Sequence, residues 1–209
     1  MADSWTSPAR AAEFLARADR LPFRNDGERV LVADVGTAMP GPVLDLGCGD
    51  GRLTALVLDA HPLSTAVVTD SSPPMLDAAH ARFAGDDRVT VLAHDFNDRL
   101  PFDDAAFAAV ITSLAVHHAS DERKRLLYAE AASLLQPGGV FANLEIVASP
   151  TQALHDRWRD EMGARDDPND RLCAMEPQLE MLRDAGLIDV DCIWKWRSLA
   201  LLRGMRPPT

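Results

Sequence analysis

The stretch Val43-Leu44-Asp45-Leu46-Gly47-Cys48-Gly49-Asp50-Gly51 limits most tightly what this chain can become. An apolar run of strand type opens into three glycines spaced by single residues, and a helical pattern starts near Arg52. Without a Cβ, glycine lets the backbone turn sharply and come close to a ligand. A nucleotide-like molecule can therefore lie over such a turn. The rest of the chain keeps the same rhythm, which is that of a parallel sheet with crossover helices. Strands are expected at 42–46, 66–70, 88–93, 107–112 and 139–147, with short β-branched cores suited to burial on both faces. Helices are expected at 52–60, 73–83 and 122–135, the last with Leu126, Leu127, Leu134 and Leu135 in helical spacing and a stop at Pro137-Gly138-Gly139.

A glycine-rich turn alone does not choose its ligand, because nicotinamide and flavin folds use similar glycines. Asp45, two residues before the first glycine, bears on the choice. In dinucleotide folds the turn faces a pyrophosphate, which a neighbouring carboxylate would repel. S-adenosylmethionine carries an ammonium and a sulfonium and no phosphate, so an acid at the strand end attracts it. Asp70 ends the next expected strand, 21 residues after Gly49, near where doubly wound folds place the carboxylate that grips ribose hydroxyls. Ser72 and Pro73 look sufficient to start the following helix, which leaves Asp70 for a ligand.

These segments, with Asp70-Ser71-Ser72-Pro73-Pro74-Met75-Leu76, His94-Asp95-Phe96, the run from Val110 to His118 and Leu135-Gln136-Pro137-Gly138-Gly139, resemble the class I S-adenosylmethionine-dependent methyltransferases. The resemblance is strong from Val43 to Glu145 and weaker through Leu202. It departs at Ala108, where the family often has an acid. It implies an α/β fold, a doubly wound, mostly parallel sheet of the Rossmann-like methyltransferase type, with an antiparallel last strand. It also implies site roles. Gly47, Gly49 and Gly51 would line the methionine portion of S-adenosyl-L-methionine and Asp45 would face its ammonium. Asp70 would hold the ribose; Met75, Asp95 and Phe96 would surround adenine; Leu114 would offer backbone contact near the sulfonium.

A single domain, 1–209, is expected, with an N-terminal helical lid (1–41), a cofactor-binding core (42–147) and a substrate-side insert with closing strands (148–209). The lid would hold helices at 8–18 and 28–38 around a turn at 22–27. Later come helices at 151–162 and 177–185, a mobile surface loop at 163–170, and a strand pair at 187–194 and 199–202. Trp5, Phe14, Phe23, Arg24, Trp158, Trp194 and Trp196 are candidates for an acceptor pocket. Asn143 and Glu145 would face either the core or the acceptor.

Methyl transfer from a sulfonium is an in-line displacement with a good leaving group, so alignment and exclusion of water are the main demands. A base helps only an acceptor that must lose a proton. His117 and His118 fall at the carboxyl end of the fourth strand, the ligand-binding edge of such sheets, and His118 is the expected catalytic base. The formal charge of −11 disfavours phosphate-rich partners, so a small-molecule acceptor is expected in place of nucleic acid. Methylation of tRNA or protein, and a non-catalytic role as a cofactor-binding partner, are the alternatives. Three scattered cysteines, Cys48, Cys173 and Cys192, suggest neither disulfides nor a zinc site, so no metal is expected. No apolar run approaches a membrane span and no secretory leader is evident in the first ten residues. The expected location is the cytoplasm.

Overall fold

A computed structural model describes residues 7–18, 20–163 and 167–208. Its seven strands are β1 (Pro42–Leu46), β2 (Thr65–Asp70), β3 (Val89–Ala93), β4 (Phe107–Ser113), β5 (Leu135–Ile146), β6 (Ile188–Trp196) and β7 (Leu199–Met205). They form one sheet in the order β3-β2-β1-β4-β5-β7-β6. β1 to β5 are mutually parallel, and β7 runs antiparallel to both β5 and β6. This is the doubly wound, mostly parallel α/β sheet that the sequence pattern predicts. Strand order reverses between β1 and β4, which places a crevice beyond their carboxyl ends.

The helices are α1 (Pro8–Ala18), α2 (Arg24–Val35), α3 (Arg52–Ala60), α4 (Pro73–Arg82), α5 (Asp121–Leu134), α6 (Gln152–Met162) and α7 (Met175–Asp184). Strand alternation assigns each face its own layer. Val43, Ile111, Ala142 and Leu144 pack with Leu31 and Val35 of α2 and Leu53 and Val57 of α3. Leu44, Leu46, Val110 and Phe141 pack with Leu127 and Tyr128 of α5 and Leu179 and Leu182 of α7. Among the described residues no helix is long and apolar enough to cross a membrane.

Three differences from the sequence pattern have physical causes. The turn expected at 22–27 is mostly the first turn of α2. Gly27 serves helix–sheet contact there: a Cβ would lie 2.8 Å from Leu144 Cδ1 and 2.9 Å from Trp194 Cζ3. α2 is consequently a layer of the core, and α1 remains over the crevice with Arg24 from the start of α2. Second, Pro137, Gly138 and Gly139 lie inside β5, which begins at Leu135 directly after α5. The register slips between Phe107 and Ala109, and a Cβ on Gly139 would meet the carbonyl oxygens of Gln136 and Ala108 at 2.8 and 2.9 Å. The glycine therefore permits a bulge. Third, 163–170 was expected as a mobile loop, yet Asp167 pairs with Arg10 of α1 and Arg171 N–H donates to His117 O at 2.7 Å. The described part of that segment is tied down over the end of β4.

Candidate active site

The glycine turn leaves β1 with Gly47, Gly49 and Gly51 at φ of +66°, +57° and +76°, the region in which only glycine is unstrained. A Cβ on Gly47 would stand 2.5 Å from Ala115 Cβ and 3.3 Å from Phe96 Cε1. Gly51 instead admits Phe83, whose Cε2 would lie 2.3 Å from an added Cβ. Gly47 and Gly49 line a cavity at the carboxyl edge of the sheet, and Gly51 does not.

The two acids differ. Asp70 lines the cavity, and its carboxylate also organises the turn: Oδ2 accepts from Gly49 N–H at 2.9 Å and Oδ1 from Ser72 N–H at 2.8 Å. Ser72 makes no side-chain cap bond to α4, which starts on two prolines, and Asp70 fixes the N–H of the residue just before the helix. Asp45 lies outside the cavity lining, 1% exposed, on the face toward α3, where it accepts from Thr54 Oγ1 at 2.7 Å. Burial is the main reason its pKa rises to about 7, with Asp70 and Asp50 adding repulsion. Burial likewise raises Asp70, against hydrogen bonds from Ser72 and Gly49 that lower it. A pocket edged by the Asp70 carboxylate, held above its ordinary range with buried Asp45 one layer behind, gains from a cation.

Met75, Asp95, Phe96 and Leu114 line the same cavity. Met75 sits in the first turn of α4, its Sδ 3.9 Å from the Cβ position of Gly49. Asp95 Oδ1 accepts from Asn97 N–H and from Asn97 Nδ2 at 2.8 and 2.9 Å, a self-closed turn that explains an acid in this loop without a ligand. Phe96 is fixed by Arg123, whose Nε donates to Phe96 O at 2.6 Å while its guanidinium holds Glu130. Leu114 is a non-glycine residue at φ +56°, and its N–H donates to Leu144 O at 2.9 Å. Strain of this kind costs on the order of 1–3 kcal/mol and gathers at functional sites.

Past Leu114 a single 3-10 turn, Val116–His118, carries both histidines. His118 lines the cavity, and burial with the neighbouring His117 lowers its pKa to about 4. His117 is buried behind it. Its Nδ1 lies 2.5 Å from Glu145 Oε1 and its N–H donates to Glu145 Oε2 at 3.0 Å. Burial opposes its charge, but the Glu145 carboxylate outweighs burial and raises its pKa. Asp170 Oδ1 stands 3.7 Å from His117 Nε2 and 3.4 Å from His118 Nδ1. Glu145 thus faces His117, and Asn143 donates to Tyr128 Oη at 3.2 Å; both belong to the core.

Of the acceptor-pocket candidates, Phe14 and Arg24 reach the cavity. Arg24 Nε is 2.8 Å from the buried Glu28, which Arg52 also holds at 2.9 Å. Phe23 stacks on Trp196 at 4.7 Å, Trp194 packs on Gly27 and Trp158 lies under Lys195; none of these lines the cavity. Trp5 lies outside the described residues. Sequence reading missed Leu15, Cys48, Asp50, Ser71, Asn97, Ser113 and Ala115 as lining residues, and it missed Asp170. Neighbours of the quoted motifs would have suggested all but Leu15; no local signal marks Asp170.

Comparison with known proteins agrees with this fold. A family model described as "Methyltransferase domain" matches residues 43–139. An uncharacterised methyltransferase of Mycobacterium bovis is 38% identical over 105 residues, 50% of each chain. A trans-aconitate 2-methyltransferase of Acidovorax sp. is 30% identical over 162 residues, 73% of this chain and 59% of that protein. The structure of an O-methyltransferase family protein from Burkholderia thailandensis superposes with a TM-score of 0.72 at 25% identity, over 99% of this chain and 64% of the other. The chain spans about half the length of the curated relatives it matches.

Proposed function

We propose that this chain, which matches a methyltransferase domain model over residues 43–139, is a class I S-adenosylmethionine-dependent methyltransferase that transfers the donor's methyl group to a small-molecule acceptor in the cavity at the end of β1 and β4. One observation carries this reading: Gly47, Gly49, Asp70, Met75, Asp95, Phe96, Leu114 and His118 share one cavity. The cradle fits the donor, since Gly47 and Gly49 present bare backbone and the nearby acids favour a cation. When bound, S-adenosylmethionine supplies an electrophilic methyl group on a sulfonium.

The protein's own residues then have three tasks. Asp70 orders the glycine turn and offers its carboxylate to a ribose, with Met75 and Phe96 flanking a base and Asp95 near its edge. Asp45, one layer behind, contributes charge rather than contact. Leu114 brings strained backbone to the reacting end, and His118 meets the acceptor there. With its pKa lowered, His118 is neutral throughout the physiological range and is a hydrogen-bonding partner before it is a strong base. α1 covers the cavity with Phe14 and Leu15 and excludes water.

The trans-aconitate relative supports a small organic acceptor, and the charge of −11 argues against a phosphate-rich one. Free cysteines at 48, 173 and 192 suit the reducing cytoplasm. The test is transfer of labelled methyl from S-adenosylmethionine to three separate pools: metabolite extract, RNA and protein. Label should enter the metabolite pool. Label confined to RNA or protein would overturn the acceptor class, and donor binding with no transfer to any pool would point to a non-catalytic partner role.

A further inference from the structure

We infer that His117, His118 and Asp170 form a binding site for one first-row transition-metal dication of zinc-like ligand preference. One atom from each side chain falls within 4.8 Å of the other two. Asp170 Oδ1 is the shared point, 3.7 Å from His117 Nε2 and 3.4 Å from His118 Nδ1. Two ligands bound tetrahedrally at zinc distances stand about 3.4 Å apart, so the two edges at Asp170 already match to within a few tenths of an ångström, and the histidine nitrogens, within 4.8 Å, must turn toward each other to close the third. Asp170 Oδ1 is buried and accepts no hydrogen bond from the described residues. A buried carboxylate oxygen in that condition calls for a cation.

The support behind the triad has the form metal sites use. A ligating imidazole normally donates its second N–H to a carboxylate, which fixes tautomer and ring angle. Glu145 occupies that place: it takes the Nδ1 side of His117 at 2.5 Å and leaves Nε2 for the ion. Glu145 is further held by the N–H groups of His117 and Ile146 at 3.0 and 2.7 Å. Asp170 is held by its own N–H to Asp167 O at 2.9 Å and by the adjacent Arg171 N–H to His117 O at 2.7 Å. Two nitrogens and one oxygen suit zinc and its neighbours better than calcium or magnesium. Three protein ligands leave a fourth position open, and His118 borders the cavity. Ion binding does not depend on the methyl-transfer reading; only the use of the open position by an acceptor does.

The experiment is equilibrium dialysis of chelator-treated full-length protein against Zn2+, with Co2+ as a spectroscopic probe. One ion per chain is expected, with cobalt absorption of low-symmetry coordination. Asp170→Asn and His118→Gln should each weaken uptake at least tenfold, while His61→Gln, at a distant position, should not. Circular dichroism identifies any variant that fails to fold, and either of the two substitutions suffices. No uptake by the wild type, or uptake unchanged in a folded Asp170→Asn variant, would overturn the site. Donor affinity measured on the same samples keeps the two readings apart. A wild-type protein that takes up no metal yet transfers methyl sinks this inference alone, whereas stoichiometric uptake without transfer sinks only the proposed reaction.

Discussion

Asp45 and Asp70 look alike in the sequence, yet their contacts predict different phenotypes. Asp70 accepts from Gly49 and Ser72 on opposite sides. Asp70→Asn replaces one acceptor by a donor, and donor affinity by calorimetry should fall by roughly ten- to a hundredfold, the effect of losing a charge-assisted bond and a ligand contact together. Asp45→Asn retains a partner for Thr54 and removes only charge. At about 1.4 kcal/mol per tenfold, the loss of one nearby opposite charge should weaken binding about tenfold at pH 8. An unchanged affinity would reduce Asp45 to an anchor for α3.

The same substitution has a pH signature. The folded protein holds the Asp45 proton up to about pH 7, against an ordinary value of 3.8. Between those values the unfolded chain has already ionised, so stability falls as pH rises from about 4 to about 7 and is level above. Asn does not ionise. Urea midpoints of the ligand-free protein should therefore drop less between pH 5 and pH 8 in Asp45→Asn than in the wild type, and equal drops would refute the burial argument. Gly47→Ala requires φ +66° and sets a methyl 2.5 Å from Ala115; it should cost about 1–3 kcal/mol in the same urea experiment and abolish donor binding.

At the scale of elements, α1 is a helix only lightly tied to the body. It joins the body beyond its own neighbourhood through Arg10 and Asp167, and it brings Phe14 and Leu15 to the cavity. A partly exposed ion pair contributes about 0.2–1 kcal/mol. Arg10→Ala should thus raise acceptor KM a few-fold with little change in kcat, and limited proteolysis should cut near α1 sooner while α2 stays protected. Equal protection in both helices would show that the pair does not latch the lid. The contrast between α1 and α2 also shows what the sequence discloses. Strand positions and the glycine turn were legible, because two-sided burial writes β-branched runs and sharp turns demand glycine. Gly27 and Gly139 misled because a glycine that admits a neighbouring side chain or a bulge reads the same as one that ends an element. Asp170 was illegible for another reason. It reaches His117 and His118 across more than fifty residues, and neither periodicity nor a local motif encodes that meeting.

For the whole molecule, the question is which nucleotide the acidic edge of the sheet admits. Asp45, Asp50 and Asp70 repel one another enough to appear among the causes of the raised Asp45 and Cys48 pKa values. A pyrophosphate would add two negative charges to that group; a sulfonium and an ammonium would relieve it. Donor binding to the folded state alone stabilises by about 2.7 kcal/mol at a hundred times Kd. For a chain of this length each kcal/mol raises the midpoint by about 2–4 °C. S-adenosylmethionine should accordingly raise Tm by about 5–10 °C, its demethylated product by less because the sulfonium charge is gone, and NADH not at all. Higher salt should shrink the gap between the first two ligands, since the sulfonium acts through charge where its product does not. A larger shift with NADH than with S-adenosylmethionine would mean that the carboxylates do not set the pocket's preference, and the cofactor assignment would fall with them.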